Sequence, residues 1–219
     1  MKILITNDDG IFSEGLKILA NWAKQYGDVT VVGPKVEQSA KSHAIEIRNA
    51  FAAQKVEFDD GIEAFSVDST PADCVRFGID GLRRNYNLVL SGINKGLNLG
   101  DDIGYSGTCG AVFEAAYHNV PAIAFSTDPA SFKEAEKQLD KCYEFIMFNN
   151  LFSYCGLYNV NIPLNSKDIL ITHHGEAYFR DTYEEIKPGL FKPHGYSTFK
   201  GSMDLDTDRD AALNGYISI

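Results

Sequence analysis

Short apolar or β-branched runs recur along the chain, each broken by small or polar residues: Ile3-Leu4-Ile5, Val29-Thr30-Val31-Val32, Asn87-Leu88-Val89-Leu90 and Ala122 to Ser126. Runs of this length, stopped by Gly-Pro, Ser-Gly or Asn-Asp, predict strands. Helix-period stretches lie between them. Ser13 to Tyr26 is one, and Pro71 to Ile79 is another, with Thr70 as N-cap and proline in the first turn. Ala111 to His118 follows Gly107-Thr108, and Ser131 to Phe148 is amphipathic. Strands alternating with helices predict an α/β fold whose mostly parallel sheet is covered on both faces.

Past about residue 150 the pattern loosens. Leu157 to Ile162 and Asp168 to Thr172 read as strands, whereas Gly175 to Asp208 is rich in aromatics, Gly, Pro and charge with weak periodicity. Hairpins and long loops are expected there, serving as a lid, an interface arm or both. The expected organisation is a core over residues 1–150. Residues 151–219 then add C-terminal strands, a hairpin excursion and an oligomerisation arm within the same structural unit.

The chain has 219 residues, 44% of them apolar, enough for one substantial α/β domain. A formal net charge of -10 argues against a polynucleotide partner, because such affinity is built from Lys and Arg neutralising phosphates. Small anions stay open, since a divalent ion reverses the local field. Cys74, Cys109, Cys142 and Cys155 are widely spread, which fits neither a zinc knuckle nor a disulfide scaffold and points to a reducing, cytoplasmic setting. Acids arrive too early for a secretory leader, and no apolar stretch has transmembrane length, so no membrane partner is expected.

Chemistry enters at Asn7-Asp8-Asp9-Gly10, where the first strand runs directly into two carboxylates. A lone Asp-Gly would pass as a turn. Two adjacent acids at the carboxyl edge of a βα unit point instead to a divalent cation. The loops after the next strands bring Glu37-Gln38-Ser39 and Ser91-Gly92-Ile93-Asn94 to the same edge. Asp8, Asp9, Ser39 and Asn94 would offer one ion two carboxylates, a hydroxyl and an amide oxygen. That all-oxygen set suits Mg²⁺, Mn²⁺ or Ca²⁺ rather than zinc.

From Gly92 to Thr108 the chain is rich in glycine and hydroxyls and leads to a helix start. Amides exposed there form a phosphate cradle. Ser106 or Thr108 would serve equally as an ordinary N-cap. Among the histidines, His118, His173 and His174 read as caps or surface residues, and His43, after the Ser39 loop, is the one placed to reach phosphate or leaving group.

These residues resemble the SurE family of survival proteins, metal-dependent 5'/3'-nucleotidases. The resemblance rests on Asn7-Asp8-Asp9-Gly10, Glu37-Gln38-Ser39, Thr70-Pro71-Ala72-Asp73-Cys74, Ser91-Gly92-Ile93-Asn94 with Gly96, Asn98 and Gly100, and Tyr105-Ser106-Gly107-Thr108. Later landmarks are Asn159 to Pro163, Asp208 and Gly215 to Ile219. The resemblance implies a Rossmann-like three-layer sandwich with one divalent cation per subunit, Mg²⁺ or Mn²⁺, on Asp8, Asp9, Ser39 and Asn94. It implies that nucleoside 5'- and 3'-monophosphates, and in some members short polyphosphate, are hydrolysed; the constellation itself predicts in-line attack by a metal-activated water, with a side chain, Asp8 or Ser106, as the alternative nucleophile. Asp8, Asp9 and Asn94 would carry the catalysis, with Asn98, Ser106, Gly107 and Thr108 around the phosphate. It further implies a homodimer or homotetramer exchanging C-terminal arms. Ala40 and Ser69 stand where the family commonly has glycine, Cys109 replaces a common valine, and the family usually continues past Ile219 with Thr-Pro-Leu, which bears on the arm's length.

Other classes fit less well. A response-regulator receiver needs a third Asp near the position of Asn94, and a dehalogenase-type phosphatase needs Asp-x-Asp where this chain has Asp8-Asp9-Gly10. A nucleotide-binding regulator without turnover is the alternative that shares both cradle and metal.

Overall fold

The computed structural model describes residues 1–202 and 204–219. In chain order its elements are β1 (Lys2–Thr6), α1 (Glu14–Ala23), β2 (Asp28–Pro34), β3 (Ala53–Val56), β4 (Glu63–Val67), α2 (Pro71–Arg76), β5 (Leu88–Lys95) and α3 (Gly107–Tyr117). There follow β6 (Ala122–Thr127), α4 (Phe132–Phe148), β7 (Leu157–Ile162), β8 (Ile169–Leu170), β9 (Phe179–Lys187), β10 (Leu190–Ser197), α5 (Asp208–Leu213) and β11 (Ile217–Ser218).

Among the described residues nine strands form one sheet, in the order β3-β4-β2-β1-β5-β6-β7-β11-β8. The pairs from β4 through β7 are parallel, while β3 joins β4 antiparallel at one edge. At the other edge β11 runs antiparallel to β7 and parallel to β8. The chain builds outward from β1 on one side and then crosses to β5 on the other. The crevice at the carboxyl ends of β1 and β5 is therefore the topological switch point, where open α/β sheets bind ligands.

Alternation along β1 divides two cores. Ile3 and Ile5 face the layer of α1 and α4, packing with Leu16, Leu19, Leu139 and Phe125, whereas Leu4 faces the layer of α2 and α3 with Val75, Val89 and Val112. The result is helix, sheet and helix in three layers, the α/β arrangement expected. Gly15 lets α1 lie directly on β5, because a Cβ there would fall 2.0 Å from the Ile93 carbonyl oxygen. Among the described residues no helix is long and apolar enough to cross a membrane.

Several elements differ from the sequence expectation. β3 and β4 fall where none was expected, and β5 continues past Ser91-Gly92 to Lys95 with a bulge between Ser91 and Asn94. α3 begins at Gly107 rather than Ala111, and its early glycines serve close packing: a Cβ on Gly110 would meet the Ser42 carbonyl oxygen at 2.3 Å. The strand expected over 168–172 is confined to Ile169–Leu170, and α5 was not expected.

β9 and β10 form a separate antiparallel ribbon whose residues are all solvent-exposed. Phe179, Tyr183, Ile186, Leu190, Phe191 and Tyr196 lie along it. The ribbon's neck is closed by a bridge between His173 and Thr207 and by the Gly175 amide donating to Asp208 Oδ1 at 2.8 Å.

Candidate metal and phosphate site

At the end of β1 the Asn7 side chain folds the turn. Its Nδ2 donates to the Gly10 carbonyl at 3.1 Å and to Ser13 Oγ at 2.7 Å, and Ser13 is the N-cap of α1. Asp8 is thereby directed inward and is only 4% exposed. Its Oδ1 accepts the Thr108 hydroxyl at 2.5 Å and its Oδ2 the Thr108 amide at 3.1 Å. This contact needs Gly107, because a Cβ there would sit 2.9 Å from Asp8 Cβ. Asp9 is half-buried, and its Oδ2 accepts the Lys95 amide at 3.2 Å.

The two other expected ligands come from neighbouring strand ends. The Gln38 amide donates to the Asp8 carbonyl at 2.7 Å, which draws the loop after β2 alongside; the Ser39 hydroxyl is exposed and donates to Glu37 Oε1 at 2.6 Å. Asn94 follows the β5 bulge, and its Nδ2 donates to the Gly96 carbonyl at 2.8 Å. That bond anchors the nitrogen and leaves Oδ1 as the end that can accept or ligate.

Electrostatics say what this edge lacks. Burial, with the Asp9 charge adding to it, pushes the Asp8 carboxyl up to about 6, and burial also raises Asp9, with Glu37 contributing repulsion. The donors these carboxylates have are a hydroxyl and two amides, none carrying a full positive charge. The Lys95 charge favours ionised Asp9, but among the described residues no cationic side chain pairs directly with either acid, and two adjacent desolvated acids so placed fit a divalent cation. Among the described residues no three His, Cys, Asp or Glu side chains gather as a metal cluster. The expected set is a different kind of site, because half of it is neutral oxygen.

The phosphate-side residues divide into those free to bind and those already committed. Ser106 caps α3, its Oγ accepting the Cys109 amide at 3.1 Å, while Gly107 is the first helical residue, where an amide has no intrahelical acceptor. Thr108 gives both its hydroxyl and its amide to Asp8, so here it serves the carboxylate. Asn98 is buried and its Nδ2 donates to Ser126 Oγ at 2.7 Å, which leaves that amide one further N–H. Its backbone is clamped by side chains that sequence reasoning gave no role: Asn161 Oδ1 accepts the Asn98 amide, and Asn159 and Asn161 both donate to its carbonyl. Asp208 holds the next turn by accepting the Gly100 amide at 2.8 Å. Asn159, Asn161 and Asp208 were visible as motif positions, yet their partners lie 61 or more residues away in sequence.

His43 does not turn toward the carboxylates. Its Nε2 lies 2.6 Å from Glu114 Oε2, in the third turn of α3. His118 sits at the C-cap of α3 beside Glu114, and His174 pairs with Asp101.

Comparison with known proteins points the same way. The family model described as Survival protein SurE matches residues 3–181. A protein named 5'-nucleotidase SurE from Petrotoga mobilis is 37% identical, covering all of this chain and 91% of its own. One of the same name from a Thermoanaerobacter species is 38% identical, covering all of this chain and 90% of its own. The crystal structure of SurE protein from Aquifex aeolicus superposes with a TM-score of 0.83 at 32% identity, covering 100% of this chain and 91% of that one.

Proposed function

This chain belongs to the SurE survival-protein family, and from that premise we propose that it is a metal-dependent phosphomonoesterase hydrolysing nucleoside 5'- and 3'-monophosphates, with short polyphosphate as a further substrate. The observation that carries the reading is the adjacent pair of buried Asp8 and half-buried Asp9 at the switch point, both raised by desolvation and, among the described residues, in ion-pair contact with no cationic side chain. Asp8, Asp9, Ser39 and Asn94 would hold one Mg²⁺ or Mn²⁺. Bound there, such an ion neutralises the acids, acts as a Lewis acid on a phosphoryl oxygen and makes water nucleophilic near neutral pH.

The chain's own residues do the rest. The Gly107 amide, the first of α3, is the one left to face an incoming phosphate at the positive end of the helix dipole, since those of Thr108 and Cys109 are taken by Asp8 and Ser106. Ser106 and the second N–H of Asn98 bound the same space, and the Asn159–Asn161 clamp holds Asn98 before substrate arrives. Such preorganised donors stabilise charge growing on phosphoryl oxygens without reorganising. Thr108 holds Asp8 in the rotamer that faces the crevice.

The exposed β9–β10 ribbon supports a homodimer or homotetramer, since an isolated two-stranded hairpin lined with aromatics is marginal in water. The four free thiols support a reducing compartment, the cytoplasm.

The test is phosphate release from a panel of 5'- and 3'-nucleoside monophosphates and short polyphosphate, after EDTA and after Mg²⁺ or Mn²⁺ add-back. Asp9→Asn should lower turnover by about 100-fold or more while the protein stays folded. Folded wild-type protein that hydrolyses none of these with either ion would overturn the enzyme reading in favour of a regulator that binds without turnover.

A further inference from the structure

Between β2 and β3 the chain crosses the outside of the α2–α3 layer as a strap without regular structure, and the metal-side residue Ser39 lies at its start. Two strap residues that are not glycine, Ala40 and Ser42, adopt left-handed backbone conformations, φ +58° and +56°. Such conformations are costly for L residues and persist only where the surroundings hold them.

The restraints can be named. Ser42 donates its amide to the Tyr105 carbonyl at 3.0 Å and its hydroxyl to the Gly104 carbonyl at 2.6 Å. Gly110 permits the strap to lie against α3, because a Cβ there would come within 2.3 Å of the Ser42 oxygen and 3.0 Å of His43 Cα. At that crossing and just beyond it the strap is held by two buried acids. Asp73, 2% exposed, accepts the Glu46 amide at 2.8 Å together with the Ser69 and Thr70 hydroxyls. Glu114, 6% exposed, meets His43 Nε2 at 2.6 Å, with Arg76 at 3.6 Å and His118 at 3.2 Å on its other oxygen. Asp80 stands 3.8 Å from His118, and Arg76 also reaches Asp73 at 3.6 Å.

We infer that His43 and Glu114 are positioning residues: by pinning the middle of the strap to α3, they set Ser39 beside Asp8 and Asp9 and so tune cation affinity. The inference rests on the metal reading above. Glu114 lies six residues beyond Thr108 on the same helix, roughly 9 Å along its axis. His43, held there, is directed away from the reacting end of α3. Its effect passes through the three residues Ala40, Lys41 and Ser42 to Ser39, the neighbour of Gln38, whose amide is bonded to the Asp8 carbonyl.

The experiment compares wild type with His43→Ala, His43→Gln and Gly110→Ala, the last forcing the strap outward by its added methyl while leaving both latch residues in place. Two readouts need no substrate: calorimetric Mn²⁺ affinity, and amide hydrogen exchange over 42–46 in metal-free protein. A hydrogen bond to a charged partner holds an opening equilibrium by roughly tenfold or more, so exchange in the strap should rise by about that factor in His43→Ala and Gly110→Ala, with β1 and β5 unchanged. Mn²⁺ affinity should fall about tenfold in both, the scale usual for groups that orient ligands. Turnover at saturating Mn²⁺ should stay within about threefold of wild type, and His43→Gln, which keeps a donor for Glu114, should recover most of the affinity. Unchanged exchange and affinity in His43→Ala would overturn the inference, as would collapse of turnover at saturating Mn²⁺, which would make His43 a catalytic residue. Faster strap exchange in His43→Ala beside a wild type that binds no Mn²⁺ would overturn the metal reading and with it the proposed tuning of cation affinity, while keeping the His43–Glu114 latch itself.

Discussion

Asp8→Asn should make the metal-free protein more stable. Asp8 ordinarily titrates near 3.8 and is pushed up to about 6 by burial. Its folded-state proton affinity thus exceeds its unfolded one, so the associated stability is complete below pH 3.8 and is lost as pH rises through about 6. At about 1.4 kcal/mol for each tenfold change in proton affinity, ionising Asp8 costs the metal-free fold about 3 kcal/mol at neutral pH. Asparagine keeps the shape. Its Oδ1 can accept the Thr108 amide and its Nδ2 can donate to the Thr108 hydroxyl oxygen, so both contacts survive. Urea unfolding in EDTA between pH 4 and 8 should show the variant about 2–3 kcal/mol more stable at pH 7, with the gap closing toward pH 4. Adding Mn²⁺ should then stabilise wild type, by about 2.7 kcal/mol at a hundredfold excess over Kd, and leave the variant almost unmoved. A difference independent of pH, or a variant less stable throughout, would refute the claim that Asp8 is an uncompensated buried charge.

Three further outcomes are expected. Gly107→Ala would press a methyl to within 2.9 Å of Asp8 Cβ, so Mn²⁺ affinity by calorimetry should fall at least about tenfold with the far-ultraviolet spectrum unchanged. Ala40→Gly removes a left-handed penalty of about 1–2 kcal/mol and returns about 0.4–1 kcal/mol of freedom to the unfolded chain, so denaturant titration should show stabilisation of about 0.5–1 kcal/mol. Replacing residues 179–197 with a short Gly-Ser linker should convert a light-scattering dimer or tetramer to monomer while preserving the unfolding cooperativity of the nine-stranded sheet.

The legible parts of the fold are those where one residue type dominates locally. Ile3-Leu4-Ile5 could be little but a buried strand, and the apolar spacing of Leu139, Cys142, Tyr143 and Ile146 announced α4. β4 was hidden because Glu63 and Ser66 interrupt it, although it pairs in full register with β2. The start of α3 was hidden for the opposite reason: Gly107 and Gly110 are poor helix formers by propensity, and contacts from Asp8 and Ser42 decide the matter. The acids of the site stood out because two adjacent carboxylates at a strand end are unusual. Their supports did not. Thr108 meets Asp8 across 100 residues and His43 meets Glu114 across 71, separations that no local pattern encodes.

The closed neck of the ribbon has a consequence of its own. His173–Thr207 and Gly175–Asp208 bring the two ends of a roughly thirty-residue detour together inside the body, so the detour behaves as a graft inserted at a sealed junction. The cost of closing such a loop grows only with the logarithm of its length, each doubling adding about 0.6 kcal/mol. Beyond Tyr178 and Phe179, whose amides bond Asp102 in the turn before α3, evolution or a protein engineer can therefore lengthen, shorten or replace the ribbon as a cassette with little thermodynamic effect on the nine-stranded sheet, and assembly can diverge among relatives while the crevice at β1 and β5 stays as it is.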